Sequence, residues 1–102
     1  MKKRPDTYIF RLFITGASPN SARAVANIRQ ICETYLKGNY ALEIVDVYQQ
    51  QEIAEKEQLI ALPLLIKKQP LPVRRLIGDL SDKQKVLTEL GIHSNFEQQT
   101  KI

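Results

Sequence analysis

The stretch Y-I-F-R-L-F-I-T, residues 8–15, constrains the fold of this chain more than any other feature. Its even positions are all apolar or aromatic and share one face of a β-strand. On its odd positions Ile9 and Phe13 flank Arg11, so the second face is largely apolar too. A strand that is apolar on both faces belongs inside a sheet that is covered on both sides.

A helical pattern follows this strand. Residues 19–36 carry apolar side chains at three- and four-residue spacing, with Ser18 as a suitable N-cap and Pro19 at the first helical position. Residues 41–48 then predict a second strand, which lies nearer a sheet edge because two acidic residues interrupt its apolar positions. Strand, helix and strand make a βαβ unit, which is right-handed and has parallel strands.

The second half of the chain has a different pattern. Residues 50–60 are polar with four apolar positions, which predicts a short second helix. Residues 62–68 and 73–77 are strand-like and flank the turn Q-P-L-P, so they predict an antiparallel hairpin. Residues 83–90, K-Q-K-V-L-T-E-L, predict a last helix whose apolar positions face the sheet.

The predicted order is therefore β-α-β-α-β-β-α, with Ser81 or Asp79 as the N-cap of the last helix. A parallel strand pair followed by an antiparallel hairpin is the thioredoxin-like arrangement. We expect an α/β fold with a mixed four-stranded sheet and helices on both faces. The length suits a single domain over residues 1–102, in which residues 1–6 and 94–102 are expected to be flexible.

Composition excludes several classes of function. Cys32 is the only cysteine, which rules out an intrachain disulfide, a Cys-x-x-Cys pair and a cysteine-rich zinc site. His93 is the only histidine, so we expect no metal, no cofactor and no catalytic triad. The net charge is +4, but the basic residues are dispersed and no recognised motif is present, so we expect no nucleic-acid partner. No apolar run approaches the ~20 residues of a membrane span, and no signal-peptide core follows the basic N-terminus, which predicts a cytoplasmic protein without membrane contact.

The corner before the first helix is where redox enzymes of the thioredoxin-like fold carry Cys-x-x-Cys. Here that segment reads Ser18-Pro19-Asn20-Ser21. A serine hydroxyl is too weak an acid to replace a thiolate, and a serine nucleophile needs a positioned base. We therefore interpret Ser18 and Pro19 as structural residues that start the helix. Cys32 falls on the apolar stripe of that helix, where a free cysteine packs as a small hydrophobe. A thioredoxin-fold oxidoreductase that uses Cys32 is the alternative function.

Several stretches of the chain resemble the KaiB family. They are T-Y-I-F-R-L-F-I-T-G-A-S-P-N-S-A-R-A, Y-A-L-E-I-V-D-V, A-L-P-L-L and, most specifically, L-P-V-R-R-L-I-G-D-L-S-D-K-Q-K-V-L. KaiB is the small partner of the KaiC ATPase ring in the circadian clock. The resemblance implies a non-enzymatic regulator that binds a KaiC-type ATPase and modulates its cycle, in circadian or stress-related regulation. A stress-response adaptor that does not bind KaiC is a further alternative.

The resemblance also implies two folds for one sequence. KaiB proteins are metamorphic: a resting form assembles as a tetramer, and a thioredoxin-like form docks on the ATPase ring, recruits KaiA and displaces a sensor kinase. After Leu90 this chain departs from the family, because Gly91 and the residues that follow replace the usual Asp, paired leucines and Tyr, and the tail is nearly neutral. The resting form depends on refolding of this segment, so the thioredoxin-like form is the expected fold and the resting tetramer is the alternative. The sequence leaves open whether the chain forms a homo-oligomer, either a dimer or a tetramer.

The resemblance assigns roles to individual residues as well. It implies that the basic residues Arg23, Arg74 and Arg75 contact a partner. Lys67, from the basic pair before the hairpin turn, is the fourth predicted partner-binding residue. Pro63 is a predicted cis-proline, and Gly78 and Asp79 are predicted structural residues in the most specific stretch.

The hairpin brings like charges together. If it closes around residues 69–72, the pairs Lys67-Lys68 and Arg74-Arg75 approach each other across the strands, and like charges opposite each other are destabilising. An acidic partner surface or a bound anion relieves that repulsion. The other interpretation is an edge strand that its charges protect from aggregation.

Overall fold

The computed structural model describes residues 7–56 and 61–93. Its elements are β1 (Tyr8–Ile14), α1 (Pro19–Tyr35), β2 (Tyr40–Asp46), α2 (Gln51–Lys56), β3 (Leu64–Gln69), β4 (Arg74–Ile77) and α3 (Lys83–Leu90). The predicted order β-α-β-α-β-β-α is confirmed. The expectations for residues 1–6 and 94–102, and for the last four residues of the predicted helix 50–60, lie outside the described residues.

The four strands form one mixed sheet in the order β2-β1-β3-β4. β1 pairs with β2 in parallel, as the βαβ pattern predicted, and Tyr8 lies opposite Tyr40. β3 is antiparallel to both β1 and β4. This is the thioredoxin-like sheet expected from the sequence, and β2 lies at an edge as its acidic residues indicated.

The two apolar faces of β1 are explained by two buried clusters. Phe10 and Leu12 pack on one face against α1 and α3 in the larger cluster. Phe13 points to the other face and packs with Val45 and Leu64 in the smaller cluster. All three β1 side chains are at most 1% exposed, so the central strand is covered on both sides, as its sequence requires.

The end of β2 is set by a polar contact that the apolar pattern does not show. The strand ends at Asp46, two residues before the predicted end of 41–48. The Asp46 carboxylate accepts hydrogen bonds from the N–H of Gly16 at 3.1 Å and the N–H of Tyr48 at 2.9 Å. These bonds turn the chain out of the sheet and tie it to the corner before α1.

The N-cap of α3 differs from the expectation. It is Asp82, whose side chain accepts a hydrogen bond from the N–H of Lys85 at 3.2 Å, and the prediction of Ser81 or Asp79 is wrong. Asp82 directly precedes the first helical residue, so its carboxylate reaches the free N–H groups of the first turn. Asp79 accepts instead from the N–H of Ser81 at 3.1 Å. At the other end, Gly91 has a φ of +70°, which glycine adopts without steric cost.

Candidate functional site

The corner before α1 is a structural helix start. Ser18 is the N-cap, and its hydroxyl oxygen accepts from the N–H of Ser21 at 3.2 Å. Pro19 is the first helical residue, where its missing N–H leaves no donor unpaired. The Ser21 side chain is fully buried and accepts from the N–H of Thr15 at 3.1 Å. Both serine hydroxyls therefore hold the corner of the chain together.

Cys32 is buried in the larger cluster, where the helical pattern placed it. Burial, with a further contribution from the adjacent Glu33 carboxylate, raises the pKa of the thiol to about 12. At neutral pH the side chain is therefore a neutral thiol, whereas nucleophilic and redox chemistry of cysteine needs the thiolate. The geometry gives no support to an oxidoreductase that uses Cys32.

Arg23 and Asp79 form an ion pair between α1 and the loop after β4. The Nε of Arg23 donates to the Asp79 carboxylate at 3.1 Å, and the guanidinium also donates to Asn20. On the next turn of α1, the Asn27 amide donates to the Asp79 carbonyl at 2.8 Å. Hydrogen bonds from Ser81, and then from Arg23, hold the pKa of the Asp79 carboxyl below its usual value. The side chain of Arg23 is still 55% exposed, so its outer surface faces solvent.

Pro63 and Gly78 meet on the same side of the hairpin. The N–H of Gly78 donates to the Pro63 carbonyl at 3.0 Å, and the Leu62–Pro63 peptide bond is cis. Gly78 has a φ of +114°, a backbone conformation that side-chain-bearing residues rarely adopt. The structure thus brings Pro63, Gly78, Asp79 and Arg23 into one chain of contacts that joins β3, β4 and α1.

Lys67 is not part of an exposed basic surface. It is only 3% exposed, its Nζ donates to the Leu90 carbonyl at 3.1 Å, and it lies 5.8 Å from the centre of the Tyr8 ring. Burial, and then the charge of Arg74 opposite it, lowers the pKa of the amine. In this fold the predicted direct contact between Lys67 and a partner is therefore corrected: the side chain binds the carboxyl end of α3, where carbonyl groups favour a cation.

Arg74 and Arg75 are exposed, as a partner-binding role requires. They are consecutive in β4, so their side chains lie on opposite faces of the sheet. Arg75 lines an open groove between β4 and α3 with a volume of about 530 Å³, and Asp79 lines the same groove. Arg75 and the Asp79 member of the Arg23–Asp79 ion pair therefore lie along one groove.

Apolar side chains border these arginines. Val73 is 52% exposed, Ile77 is 67% exposed and Leu71 is 79% exposed. Sequence reasoning assigned β4 only its charges and missed this apolar strip. The signal was present, since V-R-R-L-I places Val73 and Ile77 on one face of the strand and Leu76 on the other, and a strand at the sheet edge cannot bury both faces.

Two kinds of site are absent from the described ranges. Residues 7–56 and 61–93 contain no group of three or more His, Cys, Asp or Glu side chains able to hold a metal ion. In the same residues no helix has the length and apolar character needed to cross a bilayer.

Comparison with known proteins agrees with the resemblance. The KaiB domain model matches residues 11–92. The circadian clock oscillator protein KaiB of Prochlorococcus marinus is 47% identical over 94 residues, which cover 92% of this chain and 88% of the relative. The protein of the same name from Synechococcus elongatus is 46% identical over 86 residues, which cover 84% of each chain.

Solved structures show the same fold. The N-terminal domain of Synechococcus elongatus SasA superposes with a TM-score of 0.68 at 23% identity, covering 100% of this chain and 94% of that domain. Chloroplastic thioredoxin z superposes with a TM-score of 0.70 at 15% identity, covering 84% of this chain and 80% of that one. At these identities the similarity establishes the thioredoxin-like fold alone.

Proposed function

Because this chain belongs to the KaiB family, we propose that it binds a KaiC-type ATPase and modulates the cycle of that ATPase. The family supports the coarser statement directly: its members are named as circadian clock oscillator proteins and are regulators, not enzymes. The prediction that this chain is not an enzyme agrees with its family. A cytoplasmic location remains a prediction.

One observation in the structure carries the proposal: the exposed side chains of β4 are both basic and apolar. Arg74 and Arg75 are exposed, and Val73 and Ile77 leave apolar surface in water beside them. Protein interfaces combine apolar contact area with arginine more often than the remaining surface does. A partner with acidic and apolar groups fits this surface.

Arg23 adds a second basic position near this surface and also orders it. Its ion pair with Asp79 fixes the loop that follows β4, while more than half of its side chain stays exposed. We therefore assign Arg23 two roles, contact with the partner and positioning of residues 78–82. Lys67 acts only through the fold, since its amine is buried against α3.

The proposed mechanism is a population shift. A partner changes the equilibrium between two conformations only by its differential affinity for them. The ATPase would favour the thioredoxin-like conformation described here over the resting tetramer that the resemblance implies. KaiA and a sensor kinase would then be affected indirectly, through their shared ATPase. The resting tetramer and the oligomeric state remain predictions.

The test is a binding and ATPase assay with the KaiC-type ATPase of the source cell. We expect a complex at tens of micromolar or below and a changed ATPase rate. Arg74→Ala and Arg75→Ala should each weaken binding about fivefold to tenfold, which corresponds to a loss of about 1 kcal/mol of interface contact. Arg29→Ala removes an equal charge from an exposed position elsewhere on α1 and should change binding less than about twofold. If neither complex nor rate change is seen, the proposal is wrong.

A further inference from the structure

The outer side of β4 is unpaired among the described residues, because β4 ends the strand order β2-β1-β3-β4. The bond from the Gly78 N–H to the Pro63 carbonyl shows which backbone groups face outward. Hydrogen-bonded and non-bonded residue pairs alternate along an antiparallel ladder. The backbone groups of Leu76 and Arg74, two and four residues before Gly78, therefore bond to β3. The residues between them, Arg75 and Ile77, direct their N–H and C=O groups away from the sheet.

The same residues carry exposed side chains. Val73, Arg75 and Ile77 share one face of the strand by their two-residue spacing, and all three are exposed. Arg74 presents its guanidinium on the other face. The free edge therefore offers unpaired backbone groups, apolar surface and a cation on either face.

We propose that β4 binds an extended segment of another protein as a fifth strand, and that this segment carries carboxylates next to apolar side chains. Backbone hydrogen bonds from Arg75 and Ile77 would supply the pairing, and the side chains would select the segment. A carboxylate would meet Arg75, and an apolar side chain would cover Ile77. The inference rests on the proposed function, because it names the way in which the ATPase partner is held.

A second copy of this chain does not fit the edge. Two β4 strands paired side by side would bring Arg74 and Arg75 of both copies together, in a protein whose net charge is already +4. Like charges opposite each other in a sheet are destabilising, and charged edges are a known means of preventing self-association. The complementary occupant is an acidic segment from a different protein.

The groove beside β4 is balanced in charge as a whole. Arg75 and Lys85 line it together with three carboxylates, of which Asp79 is paired with Arg23 from α1. Asp82 and Glu89 balance the two lining cations. The charge that selects an acidic segment is therefore that of Arg74 and Arg75 on β4 itself, which form no ion pair within the described part of the chain.

The experiment measures amide hydrogen exchange of the whole protein, free and saturated with the KaiC-type ATPase, with residue-level readout. The outward N–H groups of Arg75 and Ile77 should exchange rapidly in the free protein and at least about tenfold more slowly in the complex. The amides of Lys37 and Gly38, in the exposed turn after α1, should keep their rates.

A pair of variants separates the backbone bond from the side chain. Ile77→Ala removes the apolar side chain and keeps the N–H, whereas Ile77→Pro removes both. Because this N–H faces outward, proline at position 77 breaks no bond to β3 and is compatible with an edge strand. Ile77→Pro should bind the ATPase about tenfold more weakly than Ile77→Ala, while the thermal midpoints of the two variants stay similar.

The outcomes are distinct. A complex in which the Arg75 and Ile77 amides stay unprotected, or in which the two variants bind equally, overturns the strand pairing and leaves the proposed function standing. The absence of any complex overturns both. Protection of these amides in the protein alone at high concentration, together with a doubled solution mass, identifies a second copy as the occupant and overturns the acidic partner.

Discussion

Leu80 offers a direct test of the loop that positions Asp79. It is the one non-glycine residue with a positive φ, +62°, in the described ranges 7–56 and 61–93, and it is also only 6% exposed, within the larger cluster. A left-handed backbone costs a side-chain-bearing residue about 1–2 kcal/mol. The apolar side chain is buried at the expense of an unfavourable backbone conformation, so the two contributions have opposite signs.

The magnitudes follow from two substitutions at this position. Leu80→Ala removes buried side-chain atoms and keeps the backbone cost, so it should destabilise the fold by about 3 kcal/mol. Leu80→Gly removes the backbone cost as well, which exceeds the usual flexibility penalty of glycine of about 0.5–1 kcal/mol. Leu80→Gly should therefore be more stable than Leu80→Ala by about 0.5–1 kcal/mol.

Leu76 provides the matched control. It belongs to the same cluster, is 9% exposed and lies in β4, where its φ is not positive. In a strand glycine is ordinarily less stabilising than alanine, so Leu76→Gly should be less stable than Leu76→Ala by about 0.5–1 kcal/mol. Urea unfolding of the four variants gives the comparison. In thermal unfolding a difference of 1 kcal/mol corresponds to about 4–8 °C in the midpoint for a domain of this size. If glycine is less stable than alanine at both positions, the inferred backbone cost at Leu80 is refuted.

Three further predictions concern single side chains. Because the pKa of Asp79 is lowered in the fold, the ionised carboxylate stabilises the protein at pH values above its ordinary pKa of 3.8. This contribution is lost as the pH falls through the lower folded-state pKa. Asp79→Asn should therefore reduce the loss of stability that the protein shows at acidic pH, measured as the free energy of unfolding against pH. The Cys32 thiol should react with a thiol reagent at pH 8 only after unfolding in urea, and rapid labelling of the native protein would contradict its burial. Ser18→Ala should lower the free energy of unfolding by about 1 kcal/mol in a urea titration through loss of the N-cap, and an unchanged value would contradict the capping role.

Local pattern was sufficient for the order of the elements. The two-sided apolar strand 8–15, the helical spacing of residues 19–36 and the prolines between 62–68 and 73–77 are properties of neighbouring residues, and each determines a local conformation. The same is true of Ser18 at the start of α1 and of Cys32 on its apolar stripe. The resemblance to the KaiB family could likewise be read from the sequence, since its most specific stretch is continuous.

Tertiary structure decided what the charged side chains do. Lys67 and Arg75 look alike in the sequence, yet one is buried against the end of α3 and the other lines an open groove, because the hairpin register places them on different faces. The pairing of Arg23 with Asp79 spans 56 residues, and the choice of Asp82 as the N-cap depends on where α3 begins. Such contacts join segments that are far apart in the chain, and periodicity and propensity describe only near neighbours.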